Sequence, residues 1–130
     1  MGTRLRDGKR MQFLFGPLIR LGFAYFGMNP PDPDSGVLHI VFKWMRKERP
    51  PLQQALEAKM KNHPSRIRYR TDGELFETKV TLKKMRLYYY GEEKGWFFFI
   101  HYDTKEPSEE AEDIADIIPF EPAHRKTEEP

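Results

Sequence analysis

The stretch "MRLYYYGEEKGWFFFIHY", residues 85–102, places eight aromatic rings within eighteen positions. Two runs of strand-forming residues flank the segment Gly91–Gly95, which is the pattern of a β-hairpin. With Tyr90 opposite Trp96, the predicted core face carries Met85, Leu87, Tyr89, Phe97 and Phe99. The opposite face then carries Arg86, Tyr88, Tyr90, Trp96, Phe98, Ile100 and Tyr102. Apolar residues on both faces are typical of a strand that is buried on two sides.

A second hairpin is predicted just upstream, in "RIRYRTDGELFETKV", residues 66–80. Its turn is the dipeptide Asp72–Gly73, which favours a two-residue type I′ turn. The predicted pairs are Tyr69 with Phe76, Ile67 with Thr78, and Arg68 with Glu77. Because paired residues share a face, the arginines and the apolar residues of this hairpin separate onto opposite faces.

Between the two hairpins the apolar alternation changes parity, since Leu82 is even-numbered and Met85 is odd-numbered. A one-residue β-bulge at Lys83–Lys84 restores the alternation with a single defect. The sequence therefore predicts one core face that continues from Phe76 to Tyr89.

The rest of the chain supplies further elements. "GVLHIVFKWM" (36–45) predicts a strand with Leu38, Ile40, Phe42 and Trp44 on one face. "PLQQALEAKMKNH" (51–63) predicts a helix, because its interior residues are good helix formers and a proline suits its first position. Residues 11–28 fit either two short strands around Gly16–Pro17 or a helix that begins at Pro17. Residues 104–116 predict an acidic loop or short helix, and "IIPFE" a last strand.

Together these elements predict an α+β fold: a mostly antiparallel twisted sheet or small barrel of about five strands, with one principal helix. The length suits one domain, residues 1–120, followed by a disordered tail at 121–130. The chain has no Cys, which excludes disulfides and thiolate zinc sites. Glycine, proline and arginine interrupt the apolar run 11–28, so neither a signal peptide nor a membrane helix is expected, and we expect a cytoplasmic protein. Few amides and many charged residues suggest a thermophilic source.

Charge is divided unevenly along the chain. The net charge of +2 combines +2 in residues 1–42, +8 in residues 43–86 and −8 in residues 87–130. Such a division permits one basic surface beside one acidic one, and a basic surface attracts polyanions.

The predicted second sheet face combines cations with aromatic rings, the mixture that single-stranded nucleic acids bind. The candidate nucleic-acid-binding residues are Arg46, Lys47, Arg66, Arg68, Arg70, Lys79, Lys83, Lys84 and Arg86. The candidate stacking or interface residues are Tyr88, Tyr90, Trp96 and Tyr102. An ordinary structural explanation is that long Arg and Lys stems cover a packed sheet.

No catalytic motif, cofactor site or metal site is predicted. The four histidines have no third ligand at a suitable spacing, and the acidic run at 109–116 is typical of a solvated segment. We therefore expect a non-enzymatic binding module for nucleic acid or a nucleoprotein complex. The alternative is a protein–protein adaptor or inhibitor of mobile-element type that uses hairpin 85–102 as its interface. A homo-oligomer formed through the aromatic face is a third alternative, and no membrane association is expected.

Overall fold

The computed structural model describes the backbone of residues 7–71, 73–105 and 115–117, and the side chains of residues 14–69 and 73–105. Its strands form a four-stranded antiparallel sheet in the order β1-β2-β6-β5 and a three-stranded sheet in the order β4-β3-β7. The elements are α1 (Asp7–Leu21), β1 (Phe23–Asn29), β2 (Val37–Trp44), α2 (Gln53–Lys59), β3 (Arg66–Thr71), β4 (Glu74–Lys79), β5 (Thr81–Tyr89), β6 (Trp96–Asp103) and β7 (Ala115–Ile117). The predicted α+β class and antiparallel sheet are confirmed. The sheets do not close into a barrel, and the described residues hold seven strands rather than about five.

The main core lies on one face of the four-stranded sheet, called here the inner face. Both helices and β3 contribute side chains to this core, so they cover the inner face. The fully buried residues of β2 on this face are Leu38, Ile40 and Phe42, and Trp44 is nearly buried. The predicted strand at 36–45 and its two faces are thus confirmed.

Helix α1 resolves the alternatives for residues 11–28. The backbone leaves helical geometry at Phe15 (φ −113°, ψ 16°), just before Gly16 and Pro17. A proline ring clashes with the preceding turn and lacks an N–H donor, which accounts for the kink just before Pro17. Neither alternative describes residues 11–28 as a whole: the helix begins at Asp7 and continues through Pro17 to Leu21, and Phe23 then starts a strand.

The β3–β4 hairpin has the predicted register, with Tyr69 opposite Phe76 and Arg68 opposite Glu77. The predicted continuity with the next hairpin is wrong. At Val80 the chain passes from one sheet to the other, and the Val80 N–H donates to the Ser65 carbonyl at 2.9 Å. The arginines of β3 and the aromatic residues of β5 therefore belong to different sheets.

The predicted β-bulge is confirmed, because the β5–β6 register shifts between Leu82 and Lys84. The predicted register of the turn is wrong. Tyr89, not Tyr90, lies opposite Trp96. Gly95 joins the ladder, since its carbonyl accepts a hydrogen bond from the Tyr90 N–H at 2.8 Å. Its positive φ of 82° is a conformation that glycine adopts without strain.

This one-residue shift exchanges the two faces of β6. Phe98, Ile100 and Tyr102 lie in the main core beside Met85, and not on the opposite face as predicted. Phe97 and Phe99, which were predicted on the core face, lie instead on the other face of the sheet, called here the outer face.

Strand β5 lies at an edge of its sheet, and the side chain of Gln53 covers part of that edge. Gln53 Nε2 donates to the Met85 carbonyl, and the Leu87 N–H donates to Gln53 Oε1, both at 2.9 Å. The amide thereby bonds β5 as a neighbouring strand would and fixes α2 beside it. The predicted helix 51–63 is confirmed in part, as Gln53–Lys59.

Strand β7 pairs in parallel with β3 and overlaps the predicted last strand only at Ile117. Most of the acidic segment, including Glu109, Glu110, Glu112 and Asp113, lies outside the described residues. The predicted tail at 121–130 also lies outside them.

Candidate nucleic-acid interface

The predicted aromatic residues do not share one surface. Tyr88 and Tyr90 contact the outer-face cluster, and Arg86 Nη1 donates to the Tyr88 hydroxyl at 2.9 Å. Trp96 instead packs against the main core. Tyr102, a candidate stacking residue, is fully buried in the main core and presents no ring surface to a base. Its hydroxyl lies 2.6 Å from His63 Nδ1, and burial raises the pKa of Tyr102 well above its ordinary value.

The outer face is an unsuitable platform for stacking bases. Its central residues Val41, Phe97 and Phe99 are buried, and side chains of the same sheet (Phe26, Tyr88 and Tyr90) pack against them. Neighbouring rings contact one another edge to face, as Tyr90 does with Phe97 at 5.4 Å between centroids. A base cannot stack on a ring whose surface is already buried.

Two predicted binding arginines are engaged by a carboxylate. Arg68 Nε lies 2.7 Å from Glu77 Oε1, and Arg66 Nη1 lies 3.1 Å from Glu77 Oε2. The hydrogen bond from Arg68 is the main reason that the pKa of Glu77 falls below its ordinary value. We call Arg66 and Arg68 the paired arginines. They hold their positive charge against a negative one, which weakens their field toward an external anion.

The other predicted cations lie at several places. Lys79 is exposed on β4, and Lys83 and Lys84 are exposed on the edge strand β5. Arg46 and Lys47 are exposed in the loop that follows β2. The side chain of Arg70 lies outside the described residues.

The structure adds a cationic groove that the sequence did not predict as a unit. This groove, of about 540 Å³, runs between α1 and α2. It is lined by three cationic residues, Arg20, Lys59 and Lys61, and by Pro17, Leu21 and Ala58. Among the residues that the structure describes, no carboxylate lines this groove.

Arg46 joins the groove to the loop after β2. Its Nε donates to the Leu21 carbonyl at 2.8 Å. This bond supplies a donor to the carbonyl of the last residue of α1. The arginine stem lies against Gly22, where an added Cβ would come within 2.5 Å of Arg46 Nε. Gly22 also has a φ of 133°, so it suits the chain reversal and the close approach of Arg46.

The same loop folds back toward the end of the inner face. Trp44 Nε1 donates to the Glu48 carbonyl at 2.6 Å, which turns the chain after the strand. The Arg49 guanidinium consequently lies over the Trp96 ring, 5.3 Å from its centroid. Tyr89 contacts Trp96 on the neighbouring strand, with ring centroids 4.9 Å apart.

These contacts define one surface. We call the cations Arg20, Arg46, Lys47, Arg49, Lys59 and Lys61 the cationic track, with Tyr89 and Trp96 at its aromatic end. The track forms no ion pair with a described residue.

Sequence reasoning selected only Arg46 and Lys47 of this track as site residues. Lys59 and Lys61 lie in the basic run after the predicted helix, so a signal for them was present. Arg20 lies on α1 and joins them only through helix packing, which its sequence neighbours do not reveal.

The described residues contain no group of three or more potential metal ligands. Within that part of the chain, no helix has the length and apolar character to cross a membrane. No protein-family model, curated protein or solved structure matches this chain.

Proposed function

We propose that this protein is a non-enzymatic module that binds nucleic acid through the phosphate backbone. The observation that carries the proposal is the interhelical groove lined by Arg20, Lys59 and Lys61, with no carboxylate among the described residues that line it. Arg46 extends the same positive surface from the groove to the loop after β2.

Helix C-termini alone do not account for these cations. The ends of α1 and α2 each attract positive charge, but a helix end carries only about half a unit of negative charge. Six cations on the track exceed that amount several-fold. The excess gives the surface an attraction for polyanions that does not depend on sequence, as phosphate binding requires.

The experiment is a salt series of binding to a fluorescent oligonucleotide, with the variant Lys59→Ala/Lys61→Ala. Each phosphate contact with a single strand contributes about 0.7 to the slope of log affinity against log salt. Loss of both lysines should therefore lower the slope by about 1.4 and the affinity at 0.1 M salt by roughly 10- to 30-fold. Both lysines are exposed, so thermal stability should change little.

The matched control is Lys79→Ala, which removes an exposed lysine on the other sheet. It should change the affinity less than twofold. An equal loss from Lys79→Ala would contradict the track as the binding surface. Absence of salt-dependent binding by the unmodified protein would contradict the function itself.

A protein partner is a second candidate, because two large apolar side chains, one in the loop after β2 and one just before α2, are exposed. Met45 is 63% exposed and Leu52 is 72% exposed. Methionine is among the residue types that are enriched at protein–protein interfaces. Sedimentation over a concentration series tests self-association, and Leu52→Ser should abolish a dimer that uses this surface. A monomer at all concentrations would remove the homo-oligomer from consideration.

A further inference from the structure

The aromatic end of the track distinguishes between two classes of nucleic acid. We infer that the bound form is single-stranded and that one unpaired base stacks on the ring of Tyr89. This inference rests on the proposed function, and it adds a second kind of contact to the phosphate contacts of the track.

Tyr89 is the outermost ring of a short stack. Arg49 lies over Trp96 at 5.3 Å, and Trp96 contacts Tyr89 at 4.9 Å with their planes tilted by 42°. Trp96 is partly buried against the core, whereas Tyr89 is 52% exposed. The stack is thus anchored at its inner end and presents an aromatic ring to solvent at its outer end.

The stack is held by the backbone as well as by ring contacts. Tyr89 ends β5, Trp96 begins β6, and the two residues pair directly. A ring held in this way loses little conformational freedom when a base stacks on it. An exposed aromatic residue is common on protein surfaces. Tyr89 differs from such a residue because Arg49, in the loop after β2, lies over Trp96, the ring that Tyr89 contacts.

The loop supplies phosphate contacts beside the ring. Arg49 contacts Trp96, and Arg46, three residues earlier, bonds the end of α1 beside the groove. A strand whose base stacks on Tyr89 can therefore continue along the loop cations to Lys59 and Lys61. Only an unpaired strand can present the face of a base in this way, because duplex bases already stack on one another.

The test compares a single-stranded oligothymidine with a blunt-ended duplex that has the same number of phosphates. Tyr89→Ala should weaken single-strand binding by roughly 5- to 150-fold, the range that aromatic stacking gives per base. Binding of the duplex should change less than twofold. Tyr89→Phe keeps the ring and should retain single-strand affinity.

The matched control is Phe76→Ala, which removes a 40%-exposed ring on the other sheet. This variant should bind both nucleic acids as the unmodified protein does. Trp96 provides a direct signal, since a base on Tyr89 should quench indole emission only with the single strand. Thermal melting of each variant excludes unfolding as the cause of any loss.

The outcomes separate this inference from the proposed function. Equal binding of both nucleic acids, unaffected by Tyr89→Ala but reduced by Lys59→Ala/Lys61→Ala, would overturn the stacking inference alone. Absence of binding to either nucleic acid would overturn both. A selective loss of single-strand affinity in Tyr89→Ala would support both.

Discussion

The paired arginines and the cationic track come from the same strongly basic stretch, apart from Arg20, yet the fold gives them opposite roles. Arg66 and Arg68 both contact Glu77 across the β3–β4 hairpin. The track cations lie at helix ends and in a loop, where no described carboxylate pairs with them. The net charge of a segment therefore does not determine which of its charges are available to a partner. What determines this availability is whether the fold places a carboxylate beside the cation, as the β3–β4 hairpin places Glu77 beside Arg66 and Arg68.

The largest expected effect concerns Gln53, which fixes the helix that carries Lys59. Gln53→Ala leaves the Leu87 N–H and the Met85 carbonyl without their protein partner. We expect the free energy of unfolding to fall by about 1–3 kcal/mol, the usual cost of such a loss. Urea denaturation measures it.

The control for this prediction is Gln54→Ala, because Gln54 is the exposed next residue on the same helix. Equal denaturation midpoints for the two variants would show that the Gln53 amide does not hold α2 against β5. The track would then require another anchor.

A smaller effect is expected when the paired arginines lose their carboxylate and become available to bind phosphate. Glu77→Gln removes the carboxylate but keeps the size of the side chain. We expect the affinity for nucleic acid to rise about two- to fivefold through the added positive charge. Stability should fall by less than about 1 kcal/mol, because the ion pair is partly exposed to solvent.

Glu74→Gln, on the same strand and exposed, changes the net charge equally and serves as the control. If both variants raise the affinity by the same factor, overall charge and not the release of Arg66 and Arg68 explains the rise. That result would weaken the contrast between the two basic regions.

The smallest effect is a pH dependence at His63, which lies two residues after Lys61, the last cation of the track. Burial lowers the pKa of His63 below its ordinary value of 6.5. The unfolded chain therefore binds a proton before the folded chain does as the pH falls. The stabilising contribution is complete above about pH 6.5 and decreases as the pH falls toward the folded-state pKa.

Denaturation midpoints between pH 7.5 and 5 measure this contribution. His63→Gln should give a shallower dependence in that interval than the unmodified protein. Parallel curves would mean that another group causes the loss of stability.

The two hairpins show where sequence reasoning succeeds. A two-residue turn at Asp72–Gly73, as predicted from the sequence, leaves one register, and the predicted pairs are correct. The segment 91–95 permits two registers. Aromatic residues occupy every position from Trp96 to Phe99, so hydrophobic alternation could not choose between them.

The candidate site illustrates a further limit. Arg46 and Lys47 were found because they lie in a basic stretch, but the groove depends on the packing of α1 against α2. Tyr89 was predicted to lie in the core because it has the parity of Met85 and Leu87. That parity is correct, but Tyr89 ends β5 and is half exposed where the strand runs out.

The central position of β6 has a consequence for how the chain folds. Its pairing with β5 joins neighbouring segments, whereas its pairing with β2 joins residues as far apart as Val37 and Asp103. Closing such a long loop costs chain entropy before its contacts form, and this slows folding. We therefore expect the aromatic hairpin to form early and β2 to add to it in the slower step. The ring-rich segment would then act as the template on which the rest of the sheet assembles.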